Sequence, residues 1–159
     1  MERRKKRSIN ALLIKAKLGA LISKSPKYEK FVEKAKYYVR NPDELNKILT
    51  VAYNKATNQN AERTFGEMWG KVKSMFRLIR ASLLNEYTDV PKVKVILGLA
   101  VILYFVSPFD IFPDFLPFLG FADDLVLFAW FLKYASEEIE KFQVYESKKL
   151  NFSKTALFG

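Results

Sequence analysis

Four aspartates share one short stretch of this chain: Asp110, Asp114, Asp123 and Asp124. Carboxylates grouped in this way offer hard oxygen ligands of the kind that suit Mg²⁺ or Ca²⁺. A hydrolytic site would have to be built from them, because the chain contains neither His nor Cys. That composition excludes an imidazole base, a Ser-His-Asp triad, a thiolate nucleophile, a disulfide and a thiolate zinc site. A plainer chemistry serves each aspartate separately. Ser107 and Asp110 have the spacing of a capping box, with Pro108 at the first helical position. Asp114 can cap a turn beside Pro113. Asp123 and Asp124 fall in the first turn of the helix that follows, where negative charge complements the dipole. The capping reading ranks first. No cofactor is expected, a Mg or Ca site is the minority reading, and an enzyme is the less favoured outcome.

The second chemically distinctive set is cationic. Arg3, Arg4, Lys5, Lys6 and Arg7 form a polybasic run, with Lys15 and Lys17 further along. Ile9, Leu12, Leu13, Ala16 and Ala20 recur between and after them at helical spacing, a pattern that fits an interfacial helix on an anionic surface. Residues 1–94 carry 22 Lys/Arg against 9 Asp/Glu, whereas 95–134 carry Lys133 against the four aspartates. A basic half beside an apolar, slightly acidic segment points to an anionic partner, either lipid headgroups or nucleic acid.

The elements that must position these groups read as helices. Ser25-Pro26 is a helix start, and Tyr28, Phe31, Val32, Ala35, Tyr38 and Val39 form its apolar stripe. Asn41-Pro42-Asp43-Glu44 ends that helix and opens the next, with Asn41 as its expected cap; Leu45, Ile48, Leu49, Ala52 and Ala56 are the face to be buried. A helix over 61–87 follows, with Phe65, Met68, Trp69, Val72, Met75, Phe76, Ile79 and Leu83 inward. Lys71, Lys73, Arg77 and Arg80 lie off that stripe. Val95–Val106, within a helix Pro91–Val106, and Leu125–Leu132 are apolar runs, each short for a membrane span of about 20 residues. A last helix continues to about Glu146, and Asn151–Gly159 reads as frayed.

Between the two apolar runs, Pro108, Pro113 and Pro117 forbid a continuous helix. Phe109, Phe112, Phe115, Phe118 and Phe121 recur every third residue, too much apolar surface for an exposed turn. Tyr104-Phe105-Val106-Ser107-Pro108-Phe109-Asp110, then Pro113-Asp114, Pro117, Gly120 and Asp123-Asp124, resemble the signature of the YkvA-like family, a domain of unknown function (DUF1232). Ser107, Pro108, Pro113, Pro117 and Gly120 carry its structural spacing. The resemblance covers about Val95–Phe131. It implies a membrane-associated helical protein with no established catalytic activity, found in some larger relatives beside other modules such as a ubiquitin-ligase RING.

The resulting expectation is an all-α protein, a small helical bundle with an apolar C-terminal hairpin joined by a Pro/Phe/Asp-rich turn. Its parts are a basic amphipathic segment (1–24), basic amphipathic helices (25–90), the YkvA-like hairpin (91–146) and a tail (147–159). The leading function is a structural or adaptor role at an anionic membrane, with the basic half on the cytoplasmic side; the apolar hairpin fits a re-entrant hairpin, two short tilted spans or a helical hairpin buried in a soluble bundle. A partner protein or a second copy could pack on the apolar helix faces. Two alternatives stand below it: a helical nucleic-acid-binding protein, and a metal-dependent hydrolase using the aspartates.

Overall fold

Pro26 at the first turn and the Ser25 hydroxyl, which accepts the Tyr28 amide at 3.2 Å, start helix α1 (Pro26–Val39) where its sequence demands. The computed structural model describes residue 20 and residues 23–57, 61–106 and 122–158. Helix α2 (Pro42–Ala56) follows after a two-residue break. A short helix α3 (Ala61–Phe65) passes through a 3₁₀ turn (Gly66–Met68) into α4 (Trp69–Leu83). Helices α5 (Lys92–Val106), α6 (Ala122–Tyr134) and α7 (Ser136–Phe158) complete the order. No strand occurs among the described residues. The fold is all-α, and among the described residues six helices have 13 residues or more.

Helix α5 lies at the centre and packs against α1, α2, α4 and α6. Its residues from Leu99 to Phe105 are all buried. A helix apolar on every side must be covered on every side, by protein or by lipid. Here the cover is protein: Phe31 meets Tyr104 edge-on at 5.2 Å, and Phe105 contacts both Phe65 and Phe128. Gly98 lets α5 approach closely, since a Cβ there would stand 2.6 Å from both Ile79 Cδ1 and Phe131 Cζ.

This arrangement overturns the membrane reading. Among the described residues no helix is long and apolar enough to cross a membrane. Lys92–Val106 has 15 residues, about 22 Å at 1.5 Å per residue, and its apolar surface is spent on neighbouring helices. The transmembrane helix, the membrane-surface adaptor role and the membrane location with a cytoplasmic basic half are corrected on this finding, since each required the apolar hairpin to sit in a membrane. Residues 107–121, which hold most of the expected Ser107–Asp124 turn, and residues 1–19 of the expected basic segment 1–24 lie outside the described residues.

Local boundaries differ in four places. Asn41 donates its side-chain amide to the Tyr37 carbonyl at 2.8 Å, so it closes α1 and does not cap α2. The helix expected over 61–87 is interrupted at Gly66, whose φ of +53° favours glycine. The same helix ends early, at Leu83. Asn85 adopts φ +57° and the amides of Asn85 and Glu86 bond the Ser82 and Ala81 carbonyls, a Schellman closure. The last helix, expected to end at about Glu146 with a frayed Asn151–Gly159, continues to Phe158, and no Pro or Gly interrupts it. Val39, assigned to the inward stripe of α1, is 39% exposed.

Candidate functional site

Helix α4 has four basic residues (Lys71, Lys73, Arg77 and Arg80) and no acidic one. The distal part of α7, residues 147–158, has Lys148, Lys149 and Lys154 and again no acid. These two helices pack together along Ser74, Ala81 and Phe142 and leave an open cleft of about 810 Å³ between them. Arg77 and Arg80 stand on one wall. Glu146, Lys149, Leu150 and Ser153 stand on the other, at the i, i+3, i+4, i+7 positions of one helix face.

The floor is a closed polar network. Ser74, 2% exposed, accepts from Arg77 Nη2 at 3.2 Å and from Gln143 Nε2 at 2.9 Å, and donates to the Gly70 carbonyl at 3.1 Å. Its hydroxyl is therefore fully used. Arg77 also holds Glu146 through two bonds, Nε to Oε1 at 2.7 Å and Nη2 to Oε2 at 3.1 Å. Among the described residues the Arg80 guanidinium has no hydrogen-bond or ion-pair partner. Tyr145 closes one end, ring against Tyr87 and Phe142, with its hydroxyl near the Glu86 carbonyl at 3.4 Å. Beyond it Phe152 is 77% exposed, seven residues on and therefore on the face of Tyr145 and Lys149.

Other polar groups serve the central helix. Tyr28 donates to the Leu97 carbonyl at 2.8 Å; burial, with a smaller contribution from Tyr134, pushes its hydroxyl far above the usual tyrosine range. Lys55 donates to the Phe105 carbonyl at 2.5 Å, a cation at the C-terminal end of α5. Lys94 pairs with Glu138 at 2.7 Å and also bonds the Tyr134 carbonyl at 3.2 Å. Burial acts to raise the Glu138 carboxyl, but the Lys94 hydrogen bond, a backbone amide and the nearby ammonium charges outweigh it and hold the group below its ordinary value.

Of the residues singled out in the sequence, Asp123 and Asp124 fall in the first turn of α6, where a dipole partner belongs, but their side chains lie outside the description. Asp110, Asp114, Ser107, Pro108, Pro113, Pro117 and Gly120 lie outside it entirely, as do Arg3, Arg4, Lys5, Lys6, Arg7, Lys15 and Lys17. Among the described residues no group of three or more carboxylates is placed to hold a metal ion. Arg77 and Arg80 were legible as cations off the stripe of α4. Ser74, Gln143, Glu146 and Lys149 were not, since the partners of this network lie 69 residues apart along the chain. The one signal pointing to them is the absence of acids from two separate basic stretches.

Residues 93–130, which comprise most of α5 and the first part of α6, match the family model described as "Protein of unknown function (DUF1232)". These residues belong to the DUF1232 family. No curated protein and no solved structure matches the chain. The DUF1232 segment supplies the central helix and its Phe128–Phe131 partner surface, so most of its described residues are occupied with packing. The basic cleft is built from α4 and α7, outside the segment.

Proposed function

We propose that this all-helical protein binds nucleic acid, with the phosphate backbone lying in the cleft between α4 and α7. The observation that carries the reading is that Arg77 and Arg80 on one wall and Lys149 on the other outnumber the two acids of the same cleft, Glu86 and Glu146. Neutralising phosphates with Lys and Arg releases condensed counterions, and this term dominates affinity for nucleic acid. The formal charge of +10 favours the encounter with any polyanion. Arg3, Arg4, Lys5, Lys6, Arg7, Lys15 and Lys17 add a second basic set, suited to following the same backbone. In this reading α5 and α6 are the two arms of an apolar hairpin closed by the Pro/Phe/Asp-rich stretch. The aspartates act as caps and dipole partners, and the hairpin holds α4 in place.

Electrophoretic shift at physiological salt tests the proposal. The wild-type protein is expected to retard an oligonucleotide and to lose affinity steeply as salt rises. The double variant Arg80→Glu, Lys149→Glu should weaken binding at least tenfold, by an electrostatic penalty of about 1 kcal/mol or more for each reversed charge. Absence of any shift at low salt would exclude the function.

A further inference from the structure

Arg77 presents its guanidinium edge, Nε and Nη2, to the two oxygens of Glu146. That fork is the geometry in which arginine also takes a phosphate. Glu146 is the only acid on the cleft face of α7, and it stands in front of a cation already fixed from behind by Ser74. Ser74 is in turn fixed by Gln143 and the Gly70 carbonyl, so the guanidinium keeps a second anchor when Glu146 turns away. The pair lies near the surface, with Arg77 46% and Glu146 31% exposed. A pair of this kind is weak and can be exchanged. Further along α7 the Lys149 ammonium lies over the Tyr145 ring at 5.9 Å, and Phe152, at the rim beyond the cleft lining, is an exposed ring on the same helix face. A cation and an exposed ring are the combination that holds unpaired bases by stacking and their backbone by charge. Duplex bases, already stacked on each other, cannot use that ring.

We infer that the cleft takes a single-stranded segment and that Glu146 holds the place of one of its phosphates on Arg77. The inference rests on the nucleic-acid reading above. It adds the form of the ligand and a built-in competitor that sets its affinity.

Fluorescence anisotropy with a labelled single strand and with its duplex, over a series of salt concentrations, separates the two ideas. Melting curves confirm that each variant is folded. Glu146→Gln removes the competing charge and leaves an amide of the same shape. It should bind the single strand roughly threefold more tightly, the scale of an exposed ion pair. Its salt slope should steepen by about 0.7, the value for one added phosphate contact on a single strand. Phe152→Ala should weaken the single strand roughly fivefold or more and leave the duplex unchanged. A Glu146→Gln protein with wild-type affinity and slope overturns the place-holding role. A Phe152→Ala protein with wild-type affinity for the single strand overturns the choice of ligand. If Arg80→Glu, Lys149→Glu weakens binding at least tenfold in either case, the nucleic-acid reading stands. A wild-type protein that binds neither form overturns both.

Discussion

Lys94 and Glu138 are 19% and 12% exposed, and Oε2 of Glu138 is buried without a hydrogen-bond partner among the described residues. Removing the ammonium would leave a largely desolvated carboxylate with nothing opposite it. Lys94→Met is therefore expected to cost about 1–3 kcal/mol of stability, measured by urea unfolding at neutral pH. The pH dependence has a definite sign. Glu138 has a folded pKa below its ordinary 4.5, so its contribution is complete above that value. It is lost as pH falls through the lower folded value. Wild-type stability should fall over that acid range, and the fall should be shallower in Lys94→Met. An equal slope in both proteins would show that other carboxylates carry the acid sensitivity. Gly98 decides a different contest. Alanine gains about 1 kcal/mol of helix propensity over glycine. Its Cβ would meet Ile79 and the rigid Phe131 ring at 2.6 Å, an overpacking cost of about 1–3 kcal/mol. The clash should win, and Gly98→Ala should lower the melting temperature.

Helices were legible wherever one face repeats. The stripes of α1, α2 and α4 (Phe31 and Ala35, Leu49 and Ala52, Val72 and Phe76) are buried as their spacing predicts. Boundaries were less legible where a residue had two partners to choose between. Asn41 could serve the helix on either side and serves the one before it. Asn85 could extend α4 and instead takes the left-handed conformation that ends it. The apolar run in α5 misled for a deeper reason. A helix surrounded by protein and a helix surrounded by lipid have the same composition, and periodicity cannot separate them. Length is the better guide, and 15 residues favour the core. If α5 is the core, Leu99→Ala should cost about 2–5 kcal/mol in chemical denaturation. Leu84→Ala, at a 43% exposed position, should stay within about 0.5 kcal/mol of wild type. Similar losses at both positions would remove α5 from its central role.

At the scale of the whole molecule, stability and binding occupy different parts of the chain. The residues of α7 from Ser147 to Leu157 are all exposed, including Leu150, Phe152 and Leu157. Truncation after Ser147 should therefore change the melting temperature by no more than a few degrees, because little packing is lost. It should remove most nucleic-acid binding, since Lys148, Lys149, Phe152 and Lys154 leave together. A truncated protein that binds like wild type would place the interface elsewhere on the basic surface. The cleft was harder to read than the core for a physical reason: core positions repeat locally, whereas the cleft joins Arg77 to Glu146 across most of the fold.

The Lys94 ammonium has one further consequence. It satisfies the closing carbonyl of α6 and the first turn of α7 at once, at a joint where Ala135 alone separates the two helices. Lys94 belongs to the family segment and Glu138 lies eight residues beyond its end. Tyr28 and Lys55, which hold the Leu97 and Phe105 carbonyls, come from far upstream of it. Residues 93–130 cut out as a peptide would expose the sides of α5 and lose all three of these attachments. The stretch by which the family is recognised is smaller than the unit that folds, and such a peptide should show no cooperative melting.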